Sequence, residues 1–85
     1  MNVRLGTLAG DLSSTIKVAI EEHIAGSQAE VSGGGGHFSI VVTSEQFAGK
    51  SPVAAQRLVY TAIKHLMSGD SAPVHAIDTL KTIVP

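Results

Sequence analysis

The sequence predicts a small α+β domain, with one three-stranded sheet and helices on one of its faces. Three observations carry this expectation. A stripe of large aliphatic residues recurs at helical spacing near the start of the chain. Two runs that alternate apolar and polar residues flank a block of consecutive glycines. A Ser-Pro pair then opens a second helical stripe, after which the chain ends in a strand-like run. The stretch between the second and third strands is long enough for a crossover, so a layered arrangement of helices on a sheet follows.

In the first element, Leu12, Ile16, Ile20 and Ile24 fall at every fourth position, with Ala19 and His23 beside them. Asp11 or Ser13 is expected to cap its start and Gly26 to end it. Lys17 and Glu21 stand four apart off the stripe and can pair. Gln28–Ser32 reads as a short strand with Ala29 and Val31 on one side. Gly33–Gly36 is a turn, and Phe38, Ile40 and Val42 alternate with Ser39, Val41 and Thr43 in a stronger strand. The two strands form a hairpin.

Ser44-Glu45-Gln46-Phe47 starts a single helical turn, with Phe47 as a core anchor and Gly49 as its breaker. Ser51 is the N-cap of the main helix and Pro52 its first residue. Ala55, Leu58, Val59, Ala62, Ile63 and Leu66 share one face, and Gly69 ends the helix before an Asp70–Pro73 loop. The final strand is expected to begin near Val74. Its expected register turns Val74, Ala76, Leu80 and Val84 toward the helices and His75, Ile77, Thr79 and Lys81 away. Residues 1–10 read as a flexible N-terminal segment and 11–85 as a single domain.

A chain of 85 residues can bury one core but not a deep enclosed pocket as well, which disfavours an enzyme with its own substrate cavity. The net charge of −1 gives no overall bias toward polyanions. No cysteine is present, so disulfides, thiolate catalysis and metal sites built on this chain's own sulfur are excluded. No apolar run approaches the ~20 residues that span a bilayer. No secretory signal is apparent at the start either, and the expected location is the cytoplasm, with the mitochondrion or plastid added for a eukaryotic source.

The glycine run lacks the Lys-Ser/Thr pair of a phosphate-binding loop and leads into a strand, so it reads as a hairpin turn that keeps the neighbourhood of His37 open. Lys50, Arg57 and Lys64 are spaced by seven and form a small basic stripe; no aromatic residue is expected to interleave with it. His65 lies at the edge of the main helix's apolar face and His23 in the last turn of the first helix, and both read as structural or surface residues. No nucleophile elbow and no carboxylate pair with divided roles appears. His37 and His75 remain, each at a strand–loop border where an imidazole can be both fixed and exposed. Two imidazoles are an incomplete ligand set, so a partner would have to add donors.

Three stretches then resemble the BolA family. His37-Phe38-Ser39-Ile40-Val41-Val42 resembles its His-Phe strand. The run from Phe47-Ala48-Gly49 through Ser51-Pro52 to Tyr60 looks like its Phe-x-Gly turn and main helix. Val74-His75-Ala76-Ile77 is similar to its C-terminal His signature. The resemblance covers about Leu12 to Pro85. It implies an α-β-β-α-α-β fold of the class II KH-like kind and a non-enzymatic, regulatory role. The implied partner is a monothiol glutaredoxin, and the implied cofactor a [2Fe–2S] cluster shared with glutaredoxin and glutathione in iron–sulfur cluster assembly or iron and redox regulation. His75 takes the ligand role, and His37, which matches the His-Phe position, is the further candidate metal ligand.

The implied partner-binding face combines His75 with Gly34, Gly35 and Gly36 and with Lys50 and Arg57 at the start of the main helix. The free protein is expected to be a monomer or a weak homodimer. Many relatives carry a further His or Cys in the first hairpin loop, which here holds only glycine. Others carry Arg-His-Arg where this chain has Ala55-Gln56-Arg57, and the Gln56 and Ser51-x-Val53 pattern looks more like the bacterial YrbA-like branch. The alternative reading is a DNA-binding transcriptional regulator using Lys50, Arg57 and Lys64, although the Gly-x-x-Gly loop of KH domains is missing. A stress-linked interaction module without a cofactor is a third reading.

Overall fold

The periodicities above become elements in the computed structural model, which describes residues 12–85. Helix α1 spans Leu12–His23, strand β1 Gln28–Gly34 and strand β2 His37–Thr43. A single 3₁₀ turn, Glu45–Phe47, stands where the first of two consecutive helices is expected. Helix α2 then spans Pro52–Met67 and strand β3 Ala76–Ile83. The expected N-terminal segment and the Asp11 cap lie outside the described residues. Ser13 is inside α1, not at its cap.

The strand order is β1-β2-β3, with β1 and β2 antiparallel and β2 and β3 parallel. Strand β2 is central, and its strict alternation leaves Phe38, Ile40 and Val42 buried while their neighbours stay at least partly exposed. Both helices pack on that one face. Ile16, Ile20 and Ile24 from the first helical segment and Ala55, Val59, Ala62 and Ile63 from α2 close a single core over the sheet, which also takes in Phe47 and Val74. Each of the five large aliphatic residues among these helical contributors gains roughly 1.5–3 kcal/mol from burial. Ser51 caps α2 as expected, its Oγ accepting from Ala54 N at 3.1 Å, with Pro52 at the first position.

The register expected for the last strand is corrected. Strand β3 begins at Ala76, two residues later than expected, and a bulge interrupts its alternation. Phe38 pairs with Ile77 but Ser39 pairs with Thr79, so Asp78 is the extra residue. The bulge resets the pleat, and Ile77 and Leu80 both reach the core. The expected outward position of Ile77 is therefore overturned.

Strand β1 is an edge, and its outward groups at Ala29 are occupied by α1. Lys17 Nζ donates to Glu21 Oε2 at 2.7 Å and to Ala29 O at 2.8 Å, while Ala29 N donates to Glu21 Oε2 at 2.9 Å. The pair thus ties the helix to the strand and blunts the edge against pairing with another chain. The Lys17 ammonium, and after it the Ala29 amide, hold the Glu21 carboxyl below its ordinary value of 4.5. A depressed carboxyl contributes stability that is fully present above its unfolded pKa and is lost as pH falls below it. Urea unfolding is therefore expected to show stability falling on acidification below about pH 4.5. Glu21→Gln should lower stability at neutral pH and make that acid loss shallower; an unchanged acid limb in the variant would contradict the assignment.

Candidate functional site at the glycine hairpin

Two of the four glycines belong to β1, and the hairpin turn is only Gly35 and Gly36. Their φ values are +63° and +86°, the left-handed pair that a two-residue type I′ turn demands. The turn presents the Gly36 carbonyl to the chain arriving from α2. His75 N donates to it at 2.8 Å and Ala76 N at 3.0 Å. Upstream, Val74 is buried and its N–H donates to Leu66 O at 3.1 Å. His75 is therefore clamped by main chain on both sides while its side chain remains exposed.

The ring rests against Gly36. A Cβ built at residue 36 would stand 2.6 Å from His75 Nδ1 and 2.8 Å from Cγ, so the imidazole occupies space that any side chain would claim. The distal nitrogen, Nε2, is not among the atoms nearest the turn. His37 opens β2 and pairs with Ala76, the residue after His75. Its Nδ1 donates to Asp78 Oδ1 at 3.1 Å, and the two side chains are 57% and 55% exposed. A proton on Nδ1 leaves Nε2 of a neutral ring with its lone pair. Sequence reading had no signal for Asp78, because its position depends on the bulge. Below the turn, Leu12, Ser13, Gly33–Gly36 and Phe38 line a groove of about 210 Å³.

The structure brings Gly36 and the His75 ring together and sets His37 one strand position away. It does not bring Lys50 to them. Strand β2 carries the chain about 20 Å from the hairpin to Thr43. Lys50 and the start of α2 lie at that far end, and α2 runs back until Leu66 meets Val74. Arg57, Lys64 and Tyr60 line one depression on α2, which corrects the expectation that no aromatic residue interleaves with the basic stripe. The signal was present, since Tyr60 follows Arg57 by three residues and precedes Lys64 by four. His23 and His65 are exposed in helical last turns. Among the described residues no group of three or more His, Asp or Glu side chains is placed to hold a metal ion.

Residues 12–85 match the family described as BolA-like protein. The chain belongs to the BolA family. BolA-like protein 1 of Mus musculus is 30% identical over an alignment of 79 positions that covers 81% of this chain and 56% of that protein. The chain thus spans about half the length of that curated relative. Among solved structures, a BolA homologue from Coxiella burnetii superposes with a TM-score of 0.73 at 35% identity, covering 86% of this chain and 90% of that one. The solution structure of BolA1 from Mus musculus gives 0.69 at 30% identity, covering 89% and 67%. The BolA domain of SufE1 from Arabidopsis thaliana gives 0.72 at 22% identity, covering 89% and 94%, a likeness of fold. These relatives establish the BolA family without singling out its YrbA-like branch.

Proposed function

We propose that this BolA-family protein is an adaptor that binds a monothiol glutaredoxin and lends it His75 as a nitrogen ligand for a [2Fe–2S] cluster. The glutaredoxin and glutathione would supply the sulfur ligands. The observation that carries this reading is an exposed imidazole whose backbone is clamped by Gly36 and Leu66 and whose ring lies on a glycine. Such an imidazole is preorganised, so little conformational freedom is lost when it meets a partner's metal.

The donor set fits a shared site and not a private one. This chain has no cysteine, and its described residues gather no three-ligand cluster, so any cluster would have to arrive with most of its ligands. Imidazole ligation of one iron shifts such a cluster toward higher potential. His75 is the residue that would hold it, and His37, tied through Nδ1 to Asp78 and paired in register with Ala76, is a second candidate nitrogen on the neighbouring strand. The glycine turn keeps that edge low enough for a partner surface to approach.

The test is to mix the purified protein with a cluster-loaded monothiol glutaredoxin. A changed visible absorption and circular dichroism spectrum, with co-elution on a sizing column, is expected. An unchanged spectrum together with separate elution overturns the proposal.

A further inference from the structure

Helix α2 is packed on the sheet through Ala55, Val59, Ala62 and Ile63, and its opposite side carries a second, uncovered pattern. Val53, Tyr60 and Met67 follow one another at seven-residue intervals, and Arg57 and Lys64 repeat at the same interval between them. Seven residues are close to two turns, so all five share one strip along the helix. Val53 is 58% exposed and Tyr60 39%, while Met67 at the end of the strip is half-buried, part of its side chain packing against the core. Arg57, Tyr60, Lys64 and Met67, with Thr61 and Ser68, line a shallow depression of about 470 Å³.

The charge on this strip is of one sign and unspent. Helix α2 contains no Asp or Glu. The ion pairs among the described residues are Lys17–Glu21 and His37–Asp78, so neither Arg57 nor Lys64 is paired with a carboxylate among the described residues. The Thr61 and Ser68 hydroxyls donate to the Arg57 and Lys64 carbonyls, respectively, and are spent on the helix itself. What faces outward is an apolar ridge with both cations along one side of it.

We propose that this strip docks an acidic amphipathic helix of a partner protein. The partner's apolar side chains would straddle Val53, Tyr60 and Met67, and carboxylates along one of its flanks would meet Arg57 and Lys64. The seven-residue repeat of both the apolar and the cationic positions matches the repeat that a second helix presents when it packs lengthwise. Tyr60 supplies a stiff anchor that loses little side-chain freedom. A nucleic acid fits less well: one aromatic side chain is a single stacking platform, and the chain as a whole is net negative. The strip lies on the outer side of α2 and uses none of His75, His37 and the glycine turn, so it does not rest on the cluster-ligand reading, although the family resemblance also puts Arg57 on the implied glutaredoxin face.

The test follows amide chemical shifts of the full chain during titration with a synthetic three-heptad acidic amphipathic peptide. Its controls are a version with Lys for Glu and a short oligothymidylate. Shifts confined to the outward residues of 53–68 are expected, with no response to the basic peptide. The double variant R57E/K64E and, separately, Tyr60→Ala should each weaken binding about tenfold, the loss of one anchoring contact. His75→Ala should leave it unchanged, and the shifts outside the strip report that each variant remains folded. Shifts centred elsewhere, equal binding by the charge-reversed variant, preferential capture of oligothymidylate, or concentration-dependent self-association through this strip would each overturn the proposal.

Discussion

Replacing His75 by alanine is expected to abolish the spectrum of the mixed glutaredoxin complex while changing the stability of the free protein by less than about 0.5 kcal/mol. The two halves of that expectation have separate causes. The bonds that fix this segment, His75 N and Ala76 N to Gly36 O and Val74 N to Leu66 O, belong to the main chain and survive the substitution. The side chain is exposed, and its removal opens no cavity in the core. The proposed ligand itself is lost, and the effect should exceed the roughly 10–100-fold that loss of a mere outer-shell partner causes. His37→Ala is the informative companion. It breaks an exposed contact to Asp78 and should leave a complex with a shifted spectrum. Visible circular dichroism of each mixture, with urea unfolding of each free variant, makes the comparison. Abolition by His37→Ala with a normal His75→Ala spectrum would move the ligand role to His37.

The parts of this fold that were legible in sequence are those written in local periodicity. The every-fourth-residue stripe through Ile16 and Ile20, the alternation of Phe38, Ile40 and Val42, and the Ser51-Pro52 start of α2 each reflect one element burying one face. What failed was non-local. The alternation of the last strand breaks at Asp78 because the parallel partner β2 imposes a register that β3 meets with one residue too many. Nothing in Ala76–Ile83 alone marks that residue. The four-glycine block hid a two-residue turn, since glycine is permitted in both the ladder and the turn and so marks neither boundary.

The candidate site divides in the same way. His75 and the glycines were visible as residues, but their contact depends on a crossover of more than thirty positions between β2 and β3. The family resemblance groups Lys50 with His75, but closeness in a motif carries no distance across the sheet. The helix that follows Lys50 must first run the length of the sheet before it reaches His75. Tyr60 needs no fold to be placed: on a helical projection it falls between Arg57 and Lys64.

Two glycine substitutions three positions apart are expected to fail for different reasons, and the difference tests the geometry of the site. Gly33 has φ +123°, and a Cβ there would stand 2.3 Å from His37 O and 2.9 Å from Phe38 Cα. Both are main-chain atoms across the ladder and cannot swing aside. Gly33→Ala is therefore expected to cost about 3 kcal/mol, combining backbone strain of about 1–3 kcal/mol with the crowding of a packed pair. Gly36 has φ +86°, and its Cβ would meet the His75 ring instead. An imidazole can rotate, so Gly36→Ala should cost less, about 1–2 kcal/mol, but it should displace the proposed ligand and weaken the glutaredoxin complex. The two cases separate when His75 is alanine. Removing Nδ1 and Cγ leaves only the His75 Cβ, 3.2 Å from the new methyl group, so part of the Gly36→Ala cost should vanish. A coupling of about 0.5–1 kcal/mol is expected in the double-mutant cycle, the range for residues in contact. Gly33→Ala and His75→Ala should instead add, because the clash at Gly33 is with His37 and Phe38 backbone. Urea unfolding of the six proteins gives every term. An uncoupled Gly36–His75 pair would mean that the ring does not rest on the turn in solution, and the preorganised imidazole on which the functional proposal depends would be gone.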